Sequence, residues 1–146
     1  MSEYLIQSTD YHHTEEVGFD FGRQANPGQI YCLTGDIGTG KTVFTKGFAR
    51  GLSVTEMITS PTFTLVNEYD LEQGRFYHFD VYRISDADEM EAIGFDDYLN
   101  TSSIVLIEWA DLISEWIPKD AIWIDIAKDL SISEDYRRIT VRSPKE

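Results

Sequence analysis

The residues Gly35-Asp36-Ile37-Gly38-Thr39-Gly40-Lys41-Thr42 follow the pattern G-x-x-x-x-G-K-[ST]. Each residue type suits the handling of a polyphosphate. Glycines let the backbone adopt positive φ and bring N–H groups close around an anion. Lys41 supplies a point charge for β- and γ-phosphates, and the Thr42 hydroxyl is a ligand for Mg²⁺. A helix starting at this point aims the positive end of its dipole at the phosphates. The expected cofactors are therefore ATP and Mg²⁺, and the expected reaction is ATP hydrolysis. All eight residues, Gly35 to Thr42, are candidate nucleotide contacts.

Such chemistry also needs an acid at the end of a neighbouring strand, to hold Mg²⁺ directly or through water. Two acids end apolar runs. Asp80 follows Phe76-Tyr77-His78-Phe79, and Glu108 follows Ile104-Val105-Leu106-Ile107. A carboxylate just past a buried run is costly without a cation or a hydrogen-bond donor. A glutamate can also orient or deprotonate an attacking water. Lys41, Asp80 and Glu108 are the candidate catalytic set, and Thr42, Asp80 and Glu108 the candidate metal ligands. Which acid touches the metal stays open at this level. The segment Ser60-Pro61-Thr62-Phe63-Thr64 lies 18 residues beyond Thr42. Its hydroxyls around a proline turn could sense a γ-phosphate as switch loops do, with Thr62 as the candidate contact.

Strands and helices must position these groups. Tyr4–Ser8 reads as a short strand, and Thr14–Gln24 as a helix with Val17 and Phe21 four apart. Asn26-Pro27-Gly28-Gln29 is a turn. Ile30–Thr34 has the profile of a buried strand running into Gly35. Lys41–Leu52 carries Val43, Phe44, Phe48 and Leu52 at helical spacing. Phe63–Tyr69 and Arg75–Tyr82 read as an antiparallel hairpin. Ser85-Asp86-Ala87-Asp88 resembles a capping box opening a short acidic helix to Ile93. Ile104–Ile107, Ala121–Ala127 and Tyr136–Arg142 read as three more strands. The expected fold is α/β and P-loop NTPase-like, with a mainly parallel sheet and antiparallel additions. The 146 residues fit a single domain spanning 1–146.

Composition narrows the setting. No stretch of about 18 apolar residues occurs, so no membrane span or membrane partner is expected. The N-terminal residues Met1–Gln7 lack the basic and apolar regions of a signal peptide. The single cysteine, Cys32, permits no internal disulfide. These features suit a cytoplasmic protein. The formal net charge is −14, which repels phosphate backbones and disfavours direct binding of tRNA or DNA. Between Asn67 and Asn100, Glu68, Asp70, Glu72, Asp80, Asp86, Asp88, Glu89, Glu91, Asp96 and Asp97 oppose only Arg75 and Arg83. That stretch reads either as a docking face for a basic partner or as a solvated face. Around the glycine-rich loop the balance reverses, with Lys41, Lys46 and Arg50 against Asp36 between Asp36 and Thr55.

With these residues assembled, the chain resembles the TsaE family over about Ser8 to Ile126. The resemblance rests on Gly35–Thr42, on Ser60-Pro61-Thr62-Phe63-Thr64-Leu65-Val66-Asn67-Glu68-Tyr69, on Tyr77-His78-Phe79-Asp80-Val81-Tyr82-Arg83 and on Leu106-Ile107-Glu108-Trp109. It implies a P-loop α/β ATPase needed to make N6-threonylcarbamoyladenosine in tRNA. It also implies partners, TsaD and TsaB, which transfer the threonylcarbamoyl group to adenosine 37, so tRNA would be met only indirectly. By this likeness Thr42 and Glu108 ligate Mg²⁺ with Asp80 close by, Ser60–Thr64 forms a switch-like loop, and Trp109 shapes the site or a partner contact. In Ser8–Thr14, where relatives cradle the base, this chain has Tyr11-His12-His13 in place of the usual acidic or proline residues and keeps Thr14. Thr9 and Tyr11 are the candidate base contacts.

Two other functions fit the same motifs. One is a nucleotide-dependent scaffold with negligible turnover. The other is a small-molecule kinase, although the arginine-rich lid of such enzymes is not evident. Arg137 and Arg138 form the only adjacent basic pair, far along the chain on an expected strand. His12 and His13 are adjacent, which suits solvent better than a shared metal ion. His78 reads as a structural strand residue and Cys32 as a buried one.

Overall fold

The computed structural model describes residues 2–59, 61, 65–72 and 74–144. Strands β1 (Ser2–Ser8), β2 (Ile30–Thr34), β3 (Val66–Asp70), β4 (Arg75–Asp80), β5 (Ser103–Glu108), β6 (Ile122–Lys128) and β7 (Arg137–Ser143) form one sheet. Their order across it is β1-β7-β6-β2-β5-β4-β3. The four central strands β6, β2, β5 and β4 are parallel, and the outer pairings are antiparallel. The mainly parallel sheet with antiparallel additions is thus the one expected from the sequence. β2 sits at its centre and consists of four buried residues followed by Thr34.

Helices α1 (Tyr11–Gln24) and α2 (Lys41–Gly51) cover one face. Their core includes Phe44 and Phe48 packed with Tyr31, Leu33, Phe76, Leu106 and Ile124. Short helices α3 (Glu89–Ala92) and α4 (Phe95–Tyr98) and a 3-10 helix (Ala110–Trp116) lie over the other face. They bury Met90, Phe95 and Ile113 against Cys32, Phe79, Val105 and Ile107. Cys32 is fully buried, as its residue type suggested.

Local chemistry moves two helix starts. α1 begins at Tyr11 because Asp10 caps it, accepting from the His13 N–H at 2.9 Å. The Ser85 contact goes to Glu89 rather than Asp88, and Asp88 stands at the helix N-cap without a side-chain cap bond. The Ser85 hydroxyl and N–H both donate to Glu89 Oε2, at 2.6 and 3.2 Å. α3 starts at Glu89, one residue past the expected box.

α1 and α2 touch backbone to backbone. A Cβ added at Gly18 or Gly22 would collide with the carbonyl oxygen of Phe44 or Phe48. A Cβ at Gly47 or Gly51 would collide with that of Glu15 or Phe19. Each helix thus presents a pair of glycines four residues apart to the other. Ordinary helix propensity favours alanine over glycine by about 1 kcal/mol. Gly47→Ala is nonetheless expected to destabilise the protein by about 1–3 kcal/mol, because the helices must separate. Denaturant unfolding measures this, and a stabilised variant would refute the close approach.

Candidate nucleotide site

β2 delivers the chain to the glycine-rich loop at the carboxyl edge of the parallel strands, where ligands of such sheets gather. Gly35 has φ 137°, and a Cβ there would strike the Ile126 carbonyl of β6. Gly40 has φ 109° immediately before α2 and offers no side chain to cap it. The first-turn N–H groups of α2 therefore point into the loop. Thr39 is buried, and its hydroxyl donates to the Asp36 carbonyl at 3.0 Å. The Arg137 guanidinium donates to the Thr39 carbonyl at 2.7 Å. A residue that looked remote on the chain thus braces the loop from β7, because the β6–β7 hairpin folds back beside it.

The Lys41 side chain is only 5% exposed as a residue. Its ammonium donates to the carbonyls of Gly35 and Asp36 at 2.6 and 2.7 Å. It lies 4.0 Å from the centroid of the Trp109 ring, a cation–π arrangement. Burial pulls its pKa below the usual lysine value, opposed by the charges of Glu108, Asp36, Asp111 and Asp80. Trp109 itself has a left-handed backbone, φ 66°, and its N–H is held by the Leu33 carbonyl of β2 at 3.0 Å.

The two strand-end acids come together through the sheet register. β4 and β5 are parallel, and Asp80 pairs directly with Glu108. Glu108 is 2% exposed, and its Oε2 meets Thr45 Oγ1 at 3.0 Å and His78 Nε2 at 2.8 Å. Asp80 Oδ1 accepts the Tyr82 N–H at 3.0 Å. Burial raises the Asp80 pKa, with the charge of Glu108 acting in the same sense and the Tyr82 N–H, His78 and Lys41 opposing. His78 is buried as a structural residue would be, but it also touches a candidate site acid. Sequence reading passes over Thr45 and takes His78 only as structural, because their only signals are helical and strand periodicity.

Lys41, Thr42, Asp80 and Glu108 line one cleft of about 460 Å³, with Tyr82 and Trp109 as its aromatic wall. The two rings are 4.6 Å apart. Trp109 also borders a larger cleft of about 560 Å³ that runs along Gly35, Asp36 and Thr39. The larger space is not where the candidate metal ligands gather. Ile37 is exposed at the tip of the loop. Tyr11 lines a recess of about 140 Å³ with Thr14, Gly38 to Gly40 and Arg137. Thr9 lines none of these three spaces, and its N–H meets His13 Nδ1 at 3.4 Å. His12 and His13 are exposed. Thr62 and the rest of the expected switch segment except Pro61 lie outside the described residues.

The donor set fits Mg²⁺. Thr42, Asp80 and Glu108 offer hard oxygen ligands, and Mg²⁺ commonly pairs one or two carboxylates with phosphates and water. Among the described residues no group of three or more His, Cys, Asp or Glu side chains forms a metal cage by itself. The phosphates would have to complete the coordination.

A central parallel strand, a glycine-rich loop opening a helix, and two carboxylates on adjoining parallel strands define a P-loop NTPase-like α/β protein. The model of the family described as "Threonylcarbamoyl adenosine biosynthesis protein TsaE" matches residues 8–139, and the chain belongs to the TsaE family. It is 45% identical over 116 residues to the tRNA threonylcarbamoyladenosine biosynthesis protein TsaE of Bacillus subtilis, covering 80% of this chain and 70% of that protein. The Treponema pallidum TsaE is 35% identical over 130 residues, covering 88% and 92%. The crystal structure of Bacillus subtilis YdiB superposes with a TM-score of 0.82 at 33% identity, covering 99% of this chain and 87% of that one.

Proposed function

We propose that this chain, acting as a single domain, binds ATP with Mg²⁺ and hydrolyses it in support of tRNA threonylcarbamoylation. The observation that carries the proposal is the meeting of Lys41, Thr42, Asp80 and Glu108 in one cleft at the mouth of the loop. Gly35 to Gly40 would cradle the phosphates with backbone N–H groups, and Lys41 would leave its two carbonyl acceptors for the β- and γ-phosphates. Thr42 and Glu108 would hold Mg²⁺, with Asp80 beside them. The metal, when bound, supplies charge neutralisation for the leaving phosphates. Tyr11 would stand nearest the ribose or base, and Thr9 would contribute only from the strand–helix connection.

The proposed partners are TsaD- and TsaB-like proteins in the cytoplasm, and tRNA would be reached through them. No helix among the described residues is long and apolar enough to cross a membrane. The direct test is phosphate release from Mg²⁺-ATP, alone and with those partners. Turnover that rises on adding partners supports the reading. Nucleotide binding without turnover under either condition would favour the scaffold.

A switch at Ser60–Thr64 would reach the site through the residues that flank it. The Asp80 N–H donates to the Leu65 carbonyl at 3.1 Å, just beyond Thr64, and the Asn67 amide holds the Thr59 carbonyl at 3.0 Å. The residues that flank the segment are thus bonded to the β3–β4 hairpin, Leu65 at Asp80 and Thr59 at Asn67. A loop shifts a binding equilibrium only if its states differ in contacts with the partner. Partner affinity is expected to differ at least fivefold between ATP and ADP forms, roughly 1 kcal/mol of coupling, and Thr62→Ala to shrink that difference. Affinity measured in both nucleotide states checks this, and equal values in the parent protein would reject the switch. With a net charge of −14, the isolated chain should hold tRNA poorly at physiological salt.

A further inference from the structure

Glu108 is gripped by one oxygen. Thr45 of α2 and His78 of β4 both meet Oε2. Among the described residues Oε1 receives no hydrogen bond, while Glu108 lines the cleft beside Lys41 and Thr42. A glutamate with three rotatable side-chain bonds, held at one oxygen by two donors on different elements, has one orientation available. The other oxygen is then free for the cleft.

The chemistry of the two donors supports this assignment. An ionised carboxylate only accepts, so His78 must donate through Nε2. Its Nδ1 is buried and has no partner among the described residues. An apolar side chain of similar size in this buried position would leave no unpaired ring nitrogen. A buried polar atom left unpaired is unfavourable, so the histidine is costly as a filler. Its bond to Glu108 is what the fold gains. Thr45 shows the same preference. Its hydroxyl lies 2.9 Å from the Lys41 carbonyl and 3.0 Å from Glu108 Oε2 but has one proton to give. The charged acceptor forms the stronger bond.

We infer that His78 and Thr45 are positioning residues that clamp Glu108 Oε2 so that Oε1 alone is presented to Mg²⁺ or the attacking water. This rests on the ATPase reading for its consequence in turnover, while the clamp itself is read from the fold. Loss of an outer partner of a metal ligand commonly costs 10–100-fold in metal affinity or activity.

The experiment compares His78→Phe, Thr45→Val and His78→Gln with the parent. Gln retains an N–H that can reach the carboxylate. In His78→Phe and Thr45→Val, kcat is expected to fall by about 10–100-fold while KM for ATP stays within about twofold. The Mg²⁺ concentration that half-saturates nucleotide binding, read by calorimetry, rises in parallel, and His78→Gln recovers part of both. Adding His78→Phe to Glu108→Ala produces no further loss. Parent-like kcat and Mg²⁺ dependence in both folded variants would overturn the inference, as would an equal further loss in the Glu108→Ala background. A parent that turns over no ATP refutes the ATPase reading instead. Crystal structures of His78→Phe and Thr45→Val judge the clamp independently of turnover: a displaced Glu108 carboxylate sustains it, and an unmoved one in both overturns it.

Discussion

Lys41→Ala is expected to reduce ATP turnover by at least about 10²-fold and to weaken ATP binding as well. The ammonium sits in a buried site, where a charge acts on phosphate far more strongly than in water. Within the fold it already has partners. It bonds two loop carbonyls and lies over Trp109. Binding a phosphate therefore exchanges existing hydrogen bonds for charge-assisted ones, and the net gain is the difference between them. The alanine variant removes both, so its thermal midpoint should be recorded beside its affinity. Calorimetric affinity within about twofold of the parent, in a folded variant, would remove Lys41 from the site.

Glu108→Ala is expected to keep nucleotide but lose about 10²–10⁴-fold in hydrolysis if the carboxylate orients or activates water. If it serves mainly as a metal ligand, excess Mg²⁺ restores part of the rate. Glu108→Gln separates these from collapse of the site, since the amide retains an oxygen for Thr45 and His78. Single-turnover hydrolysis across a Mg²⁺ series is the measurement. Unchanged rates at limiting Mg²⁺ would exclude both roles.

The parts of this site that could be read from the chain are those with a strong local signature. Gly35, Gly40, Lys41 and Thr42 carry their spacing with them. The apolar runs before Asp80 and Glu108 announced buried strands with an acid at the end. What a linear reading could not supply is register. Only the parallel pairing of β4 with β5 places Asp80 opposite Glu108, and nothing local to Arg137 tells that β7 returns to Thr39. The 3-10 helix after Trp109 was also missed. It begins with a left-handed residue that is neither Gly nor Asn, so the usual turn signals are absent. The glycines of α1 and α2 were silent for a different reason. In a helix they look like weak formers, and their purpose exists only in the partner helix.

That helix contact has a consequence for how the two helices can move. With carbonyl oxygens lodged where side chains would be, α1 and α2 have no cushion of rotamers between them along which to slide. The glycine-rich loop at the head of α2 and Tyr11 at the head of α1 are thus joined by one close contact, and amide protons along the facing turns should exchange with solvent together. On the opposite face the sheet is covered by shorter elements, the helical turns α3 and α4 and the 3-10 helix after Trp109, and faster amide exchange is expected there.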